Sequence, residues 1–204
     1  MQHESPHGHK ARALDVARRR GIARTRDFDA AGVPREYLRR LCEQGLLTRT
    51  ARGLYQLSSA EMSAAHSLAE AFRAVPRGTV CLLSALQFHE LTTQTPRAVW
   101  LLIASKDWTP RNPPVAIEVV RAKGEALTAG IERHVIEGVL VPITIAAKTV
   151  ADCFKYRSRV GLDVAIEALR DCLTQRRASI EELWRMATIC RVQNVMRPYL
   201  ESLR

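Results

Sequence analysis

The sequence predicts an α+β protein in two parts, a small helical unit closed by a β-hairpin and a larger mixed domain with a small β-sheet and several helices. Three observations carry this expectation. Glycines at 21, 32 and 45 cut the start of the chain into three short segments, each with apolar residues at helical spacing. Residues 46–57 then set apolar pairs on both sides of a polar, glycine-containing centre. Farther on, three strand-like stretches give way to a helical pattern from Ala146 onward.

In chain order, residues 1–9 are polar and His-rich and read as a disordered tail. His3, His7 and His9 lie among Ser, Pro and Gly, which give no fixed frame, so neither a metal nor another cofactor is expected. A first helix covers about residues 10–20, with Ala13, Leu14 and Ala17 on one side, and Gly21 ends it. A second begins near Thr25, a suitable N-cap, with Asp27 and Asp29 at its positive end. Gly32 stops it. Val33 precedes proline and is biased to extended backbone. Pro34 opens a third helix that runs to Gln44. Leu46 to Leu57 reads as a hairpin turning near residues 50–53. Helix, helix, turn, helix, hairpin is the order of a winged helix-turn-helix. Residues 10–58 are therefore assigned to that domain and residues 59–204 to the α+β domain.

In the second part, Ser58 or Ser59 reads as the cap of a connecting helix over about 60–74. Residues 79–90 read as a buried helix or a strand running into one. Strands are expected at Val99 to Ala104, Val115 to Arg121 and 133–145, with a proline-rich loop from Lys106 to Pro114. Helices follow at about 147–156, 161–175, 179–189 and 191–202, the last kinked or interrupted at Pro198.

Net charge is +10 over 204 residues. Residues 1–60 carry a net +6, so the excess is concentrated there and favours a polyanionic partner. The five cysteines are odd in number and lack C-x-x-C spacing, and the N-terminus lacks a signal-peptide pattern. Reduced structural thiols in a cytoplasmic protein are the expectation. The longest apolar run, Val139 to Ala147, is broken by Pro142 and is too short to span a bilayer, so no membrane partner is expected.

The third helix concentrates the chemistry. Leu38, Leu41 and Cys42 share one face and anchor it. Arg35 and Arg39, four apart, share an exposed side, with Glu36 and Arg40 as the adjoining stripe. A recognition helix needs this split between apolar anchors and forked donors facing the major groove. Arg49 and Arg52 fall on the hairpin, where a wing meets phosphates. Arg24 and Arg26, following Arg18, Arg19 and Arg20, surround the start of the second helix. Tyr37 either reaches a phosphate or thymine methyl, or covers the core edge. The opposing reading is a solvated helix whose arginines pair with Glu36 and Glu43. The expected partner is double-stranded DNA, contacted by Arg24, Arg26, Arg35, Glu36, Tyr37, Arg39, Arg40, Arg49 and Arg52.

The stretch from Gly21-Ile22 through Arg40-Leu41, Gly45-Leu46-Leu47-Thr48-Arg49 and Arg52-Gly53-Leu54-Tyr55 resembles the N-terminal winged helix of AbiEi-type antitoxin regulators. The likeness continues through Val80 to Leu86, Lys148 to Arg157 and Asp163 to Leu169. The resemblance implies a type IV toxin–antitoxin regulator that binds inverted repeats in its own promoter and represses the operon. It also implies functional pairing with a nucleotidyltransferase toxin, and a C-terminal domain that aids cooperative DNA binding and antitoxicity.

The alternatives are a winged helix fused to a catalyst and a winged helix that binds protein. Glu118, Lys123 and Glu132 suggest a nuclease, but Val119 and Val120 follow Glu118, so the lysine is misplaced for an acid-x-Lys motif. Ser84, His89 and Asp152 suggest a triad, yet no G-x-S-x-G elbow surrounds Ser84, which reads as a buried serine bonding to backbone. No phosphate-binding P-loop is present. A non-enzyme is the expectation. Asp152 is expected to pair with Lys155, or else Lys148, Lys155, Arg157 and Arg159 form a second basic surface.

Overall fold

Small residues at the helix crossings and glycines at the stops shape the first part of the chain. A computed structural model describes residues 6–59 and 65–203, with side chains from residue 8. The order is α1 (Pro6–Arg20), β1 (Ala23–Arg24), α2 (Thr25–Ala30), α3 (Arg35–Glu43), β2 (Leu47–Ala51) and β3 (Leu54–Leu57). The three strands form an antiparallel sheet in the order β1-β3-β2, with a bulge between Arg49 and Ala51. Ala13 and Ala17 of α1 bring it close enough to bury Phe28, Val33, Leu38, Leu41 and Leu47 in one core. Tyr55 of β3 meets Phe28 edge-on at 5.8 Å. The result is a winged-helix-like unit.

Two local expectations change. The first helix starts at Pro6, so residues 6–9 belong to it and not to a tail. Proline is well placed there, because a first helical residue needs no N–H. His3 lies outside the described residues. Thr25 is the first residue of α2, not its cap. The cap is Arg24, whose backbone N–H donates to Asp27 Oδ2 at 2.7 Å.

The second part runs α4 (His66–Ala74), β4 (Thr79–Val80), α5 (Leu82–Phe88), β5 (Val99–Ala104), β6 (Ile117–Ala122), α6 (Glu125–Thr128), β7 (Ile131–Ile136) and β8 (Val139–Thr144). It ends with α7 (Ala146–Lys155), α8 (Arg157–Val160), α9 (Leu162–Thr174), α10 (Ile180–Cys190) and α11 (Gln193–Ser202). The expected start of the connecting helix falls on residues 60–64, outside the described residues; from there it begins at His66. The expected single strand over 133–145 is a hairpin turning at Glu137-Gly138, with the turn residues at φ +49° and +73°. Two positive φ values suit a tight two-residue hairpin turn. Helix α11 runs through Pro198 without a break.

The sheet order is β6-β5-β4-β8-β7, parallel at β5/β6 and β4/β8 and antiparallel elsewhere. Alternation along β5 assigns its two faces. Trp100 and Leu102 join the core with α5, α7, α9, α10 and α11, whereas Val99, Leu101 and Ile103 join Leu68, Ala69, Ala71 and Val75 of α4.

That second core also takes Ile22 and Leu54, which belong to the N-terminal unit. The two parts therefore share buried apolar surface. Where the β7–β8 turn meets the end of α1, glycine stands on both sides. Gly21 has φ +62°, and a Cβ there would sit 1.2 Å from the carbonyl oxygen of Glu137. Gly138 in turn leaves 3.0 Å between its Cβ position and the Gly21 nitrogen. Only residues without side chains allow the β7–β8 turn to meet the end of α1 in this way.

Helix α7 corrects the expectation for Asp152. It pairs with Lys148, one turn back, not with Lys155, and both side chains are buried. Cys190 Sγ donates to its other oxygen at 3.3 Å. Lys148 is thereby removed from any surface. Arg159 is engaged as well, by Glu118 at 2.7 Å and by the Trp100 ring at 4.7 Å. The second basic surface proposed for these residues does not form as a set.

Candidate nucleic-acid interface

Leu38 and Leu41 are fully buried and fix α3, so the polar residues between them turn outward. The Arg35 and Arg39 side chains are 74% and 83% exposed. Each touches one acid. Arg35 Nη2 donates to Asp29 Oδ2 at 2.9 Å, which holds the Asp29 carboxyl below its ordinary range. Arg39 lies 3.6 Å from Glu43. Exposed pairs of this kind are weak and screened, and exchange against a polyanion. Among the described residues Glu36, Arg24, Arg26, Arg40, Arg49 and Arg52 form no ion pair. Of the pairings with Glu36 and Glu43 in the opposing reading, only that of Arg39 with Glu43 forms, and Arg35 is met instead by Asp29.

Four of the nine expected site residues meet in one place. Arg24, Arg26, Arg35 and Arg52 line a cleft of about 440 Å³. Thr25 Nα bonds to the Gly53 carbonyl at 3.0 Å and holds the start of α2 against the wing turn, which brings Arg24, Arg26 and Arg52 together. Two residues that the sequence did not single out complete the cleft, Arg73 at the end of α4 and Trp108 in the proline-rich loop. A lone tryptophan among prolines and basic residues was the available sign for the latter. Arg73 had none, because only the packing of α4 beneath the N-terminal unit brings it there.

The cleft is crowded with positive charge. Burial is the main reason that Arg24 and Arg73 both fall below the ordinary guanidinium range. Neighbouring guanidinium groups add to it, Arg26 and Arg73 for Arg24, and Arg20 and Arg26 for Arg73, against the opposing pull of Asp27. Arg73 also donates to the Arg20 carbonyl at 3.1 Å, fastening α4 to the end of α1.

The remaining expected residues lie outside that cleft. Tyr37 packs at the core edge, its ring 5.5 Å from that of His9 and 5.1 Å from the Arg40 guanidinium. It is half-buried there and covers the core edge. His9, once considered for metal, bonds Arg12 through Nδ1 at 2.9 Å. Arg49 projects from β2 and donates to the Ala51 carbonyl at 3.2 Å. Its charge partly opposes the burial that pushes up the half-buried Cys42 thiol.

The residues considered for catalysis are kept apart. Glu118 and Lys123 belong to one edge of the large sheet and Glu132 to the other. Ser84 Oγ accepts from the Trp100 N–H at 3.0 Å, as expected of a buried serine. His89 bonds the Thr144 carbonyl at 2.7 Å, and Asp152 serves Lys148 and Cys190. All five cysteines are free thiols, four of them buried. Among the described residues no helix is long and apolar enough to cross a membrane.

The crystal structure of the Rv2827c protein from Mycobacterium tuberculosis has a similar fold, with a TM-score of 0.61 at 14% identity. The likeness covers 100% of this chain and 84% of that one. No curated protein sequence matches the chain. Residues 11–58, which hold α2, α3, the wing and most of α1, match the family model described as transcriptional regulator, AbiEi antitoxin, so the likeness to that family is carried by the N-terminal segment.

Proposed function

We propose that the protein is a duplex-DNA-binding repressor, the antitoxin of a type IV toxin–antitoxin operon, which binds inverted repeats in its own promoter. The observation that carries this reading is the guanidinium cluster itself. Arg35 and Arg39 stand out from a firmly anchored helix, and Arg24, Arg26 and Arg52 converge beside it without a carboxylate of their own. In this reading α3 enters the major groove, with Arg35, Glu36 and Arg39 toward base edges. Arg24, Arg26, Arg49 and Arg52 hold phosphates on either side, and Tyr37 and Arg40 border the contact. Residues 10–58 supply the reader and the rest of the chain the antitoxic part, functionally paired with a nucleotidyltransferase toxin.

A gel shift with the gene's own upstream region against random duplex of equal length tests the operator. Preferential binding of the upstream region, with repression of a reporter driven by it, is the expected result. Equal affinity for both duplexes removes the operator and the autoregulation.

A further inference from the structure

The cleft has a second wall, and it belongs to the C-terminal part. Trp108 is 74% exposed, more than any other large apolar side chain among the described residues. The loop that carries it is nevertheless fastened at its base. Arg121 Nη1 donates to the carbonyls of Ala104, Ser105 and Asp107 at 2.9–3.0 Å. The Asp107 carboxylate accepts from the Ala104 N–H and from Arg77, both at 3.2 Å. Pro110, Pro113 and Pro114 restrict the rest of the loop. The chain thus holds an indole in solvent on a braced support, where burying it against its own core would be favourable.

Its neighbours indicate what meets it. Trp108 shares the cleft with Arg26, Arg35, Arg52 and Arg73, and the loop adds Lys106 and Arg111. An aromatic ring among guanidinium groups suits nucleic acid, where the charges track the backbone and the ring takes base or sugar surface. Arg35 belongs to the helix proposed for the major groove and Arg52 to the wing beside it, so a ring next to Arg52 meets the adjoining minor groove. Apolar side chains are inserted there by other proteins that bend duplex DNA.

Resting on the DNA-binding reading above, we propose that the Lys106–Pro114 loop is a second duplex-contacting element, with Trp108 packed into the minor groove next to the wing while Arg52 and Arg73 hold the flanking phosphates. The C-terminal part then determines the length of DNA covered and the bend it accepts, beyond the reach of the helix-turn-helix alone.

Tryptophan emission tests this with the full chain. Trp100 and Trp184 also emit, so the Trp108 signal is the difference between wild type and Trp108→Phe. Titration with a 30-base-pair upstream duplex is expected to quench that difference signal. Trp108→Ala is expected to weaken duplex binding about tenfold by anisotropy, with thermal stability unchanged because the side chain is exposed. An unchanged difference signal, with Trp108→Ala binding as wild type while Arg39→Ala still binds weakly, overturns the loop contact and leaves the DNA reading standing. Stronger quenching by a single strand of the same sequence than by duplex overturns the minor-groove placement. Failure of wild type to bind any duplex at low salt overturns the DNA reading and this inference with it.

Discussion

The N-terminal unit leaves the arginines of its third helix in solvent, whereas the C-terminal part buries a lysine. Lys148 is fully buried, and Asp152 beside it is nearly so. Burial, the largest single influence, pulls the Lys148 ammonium down, but Asp152 together with Cys190 and Cys81 more than offsets it and raises the group above its ordinary range. In the cleft the balance is reversed. Arg24 and Arg73 are lowered by burial and by other guanidinium groups, and only Asp27 opposes. A buried cation needs a fixed partner within the chain. A cluster of like charges at the surface is compensated by an external anion, and its mutual repulsion is part of the affinity that results. The first arrangement serves the fold and the second serves a ligand.

Breaking the buried pair gives the largest effect expected here. Asp152→Ala leaves Lys148 charged in the core and should cost about 3–5 kcal/mol of stability. The double change Lys148→Met with Asp152→Leu should recover most of it, as urea unfolding will measure. Recovery marks the pair as structural. A double variant that folds well yet loses DNA affinity would blur the division between the two regions.

Next is the seam between them. Gly21→Ala forces a methyl group onto the Glu137 carbonyl and should cost roughly 3 kcal/mol. The wing packs on the same seam through Leu54, so DNA affinity should fall too. A fully stable Gly21→Ala protein would show that the seam yields.

Arg39→Ala should weaken operator binding by about 1–3 kcal/mol without changing the melting temperature, since its contact with Glu43 is exposed. Anisotropy titration and a thermal melt decide this together. The smallest effect is a pH slope confined to the C-terminal part. Burial holds His89 below the ordinary imidazole value, against the raising effect of its Thr144 contact. A lowered folded-state value means that the contribution is present above the unfolded value, about 6.5, and is lost as pH falls through the folded one. Unfolding measured at pH 7.5 and 5.5 should show a steeper acid loss in wild type than in His89→Gln.

Much of the first region is legible from residues alone. Gly32, the Val33-Pro34 step and Gly45 delimit α3, because each acts on the backbone locally. Leu38 and Leu41 identify the buried side by spacing, and the arginines follow by exclusion. Less of the second region is legible. Glu137-Gly138 lies within an apolar run and lacks the Asn-Gly pair that marks a tight turn, so the hairpin of β7 and β8 reads as one strand. Lys148, Asp152 and Lys155 permit two pairings at helical spacing. Burial chose the first, and burial depends on the whole fold. Arg73 and Trp108 reach the cleft only through packing between distant segments, which no local pattern records.

Salt dependence tests the central claim most directly. Binding of the upstream duplex should weaken linearly in log–log form, with a slope of about −0.9 for each phosphate neutralised. The cleft as described predicts that Arg26→Ala with Arg52→Ala makes that slope shallower by about 2. An identical slope in the double variant would place the phosphates elsewhere and contradict the assignment of this cleft to DNA.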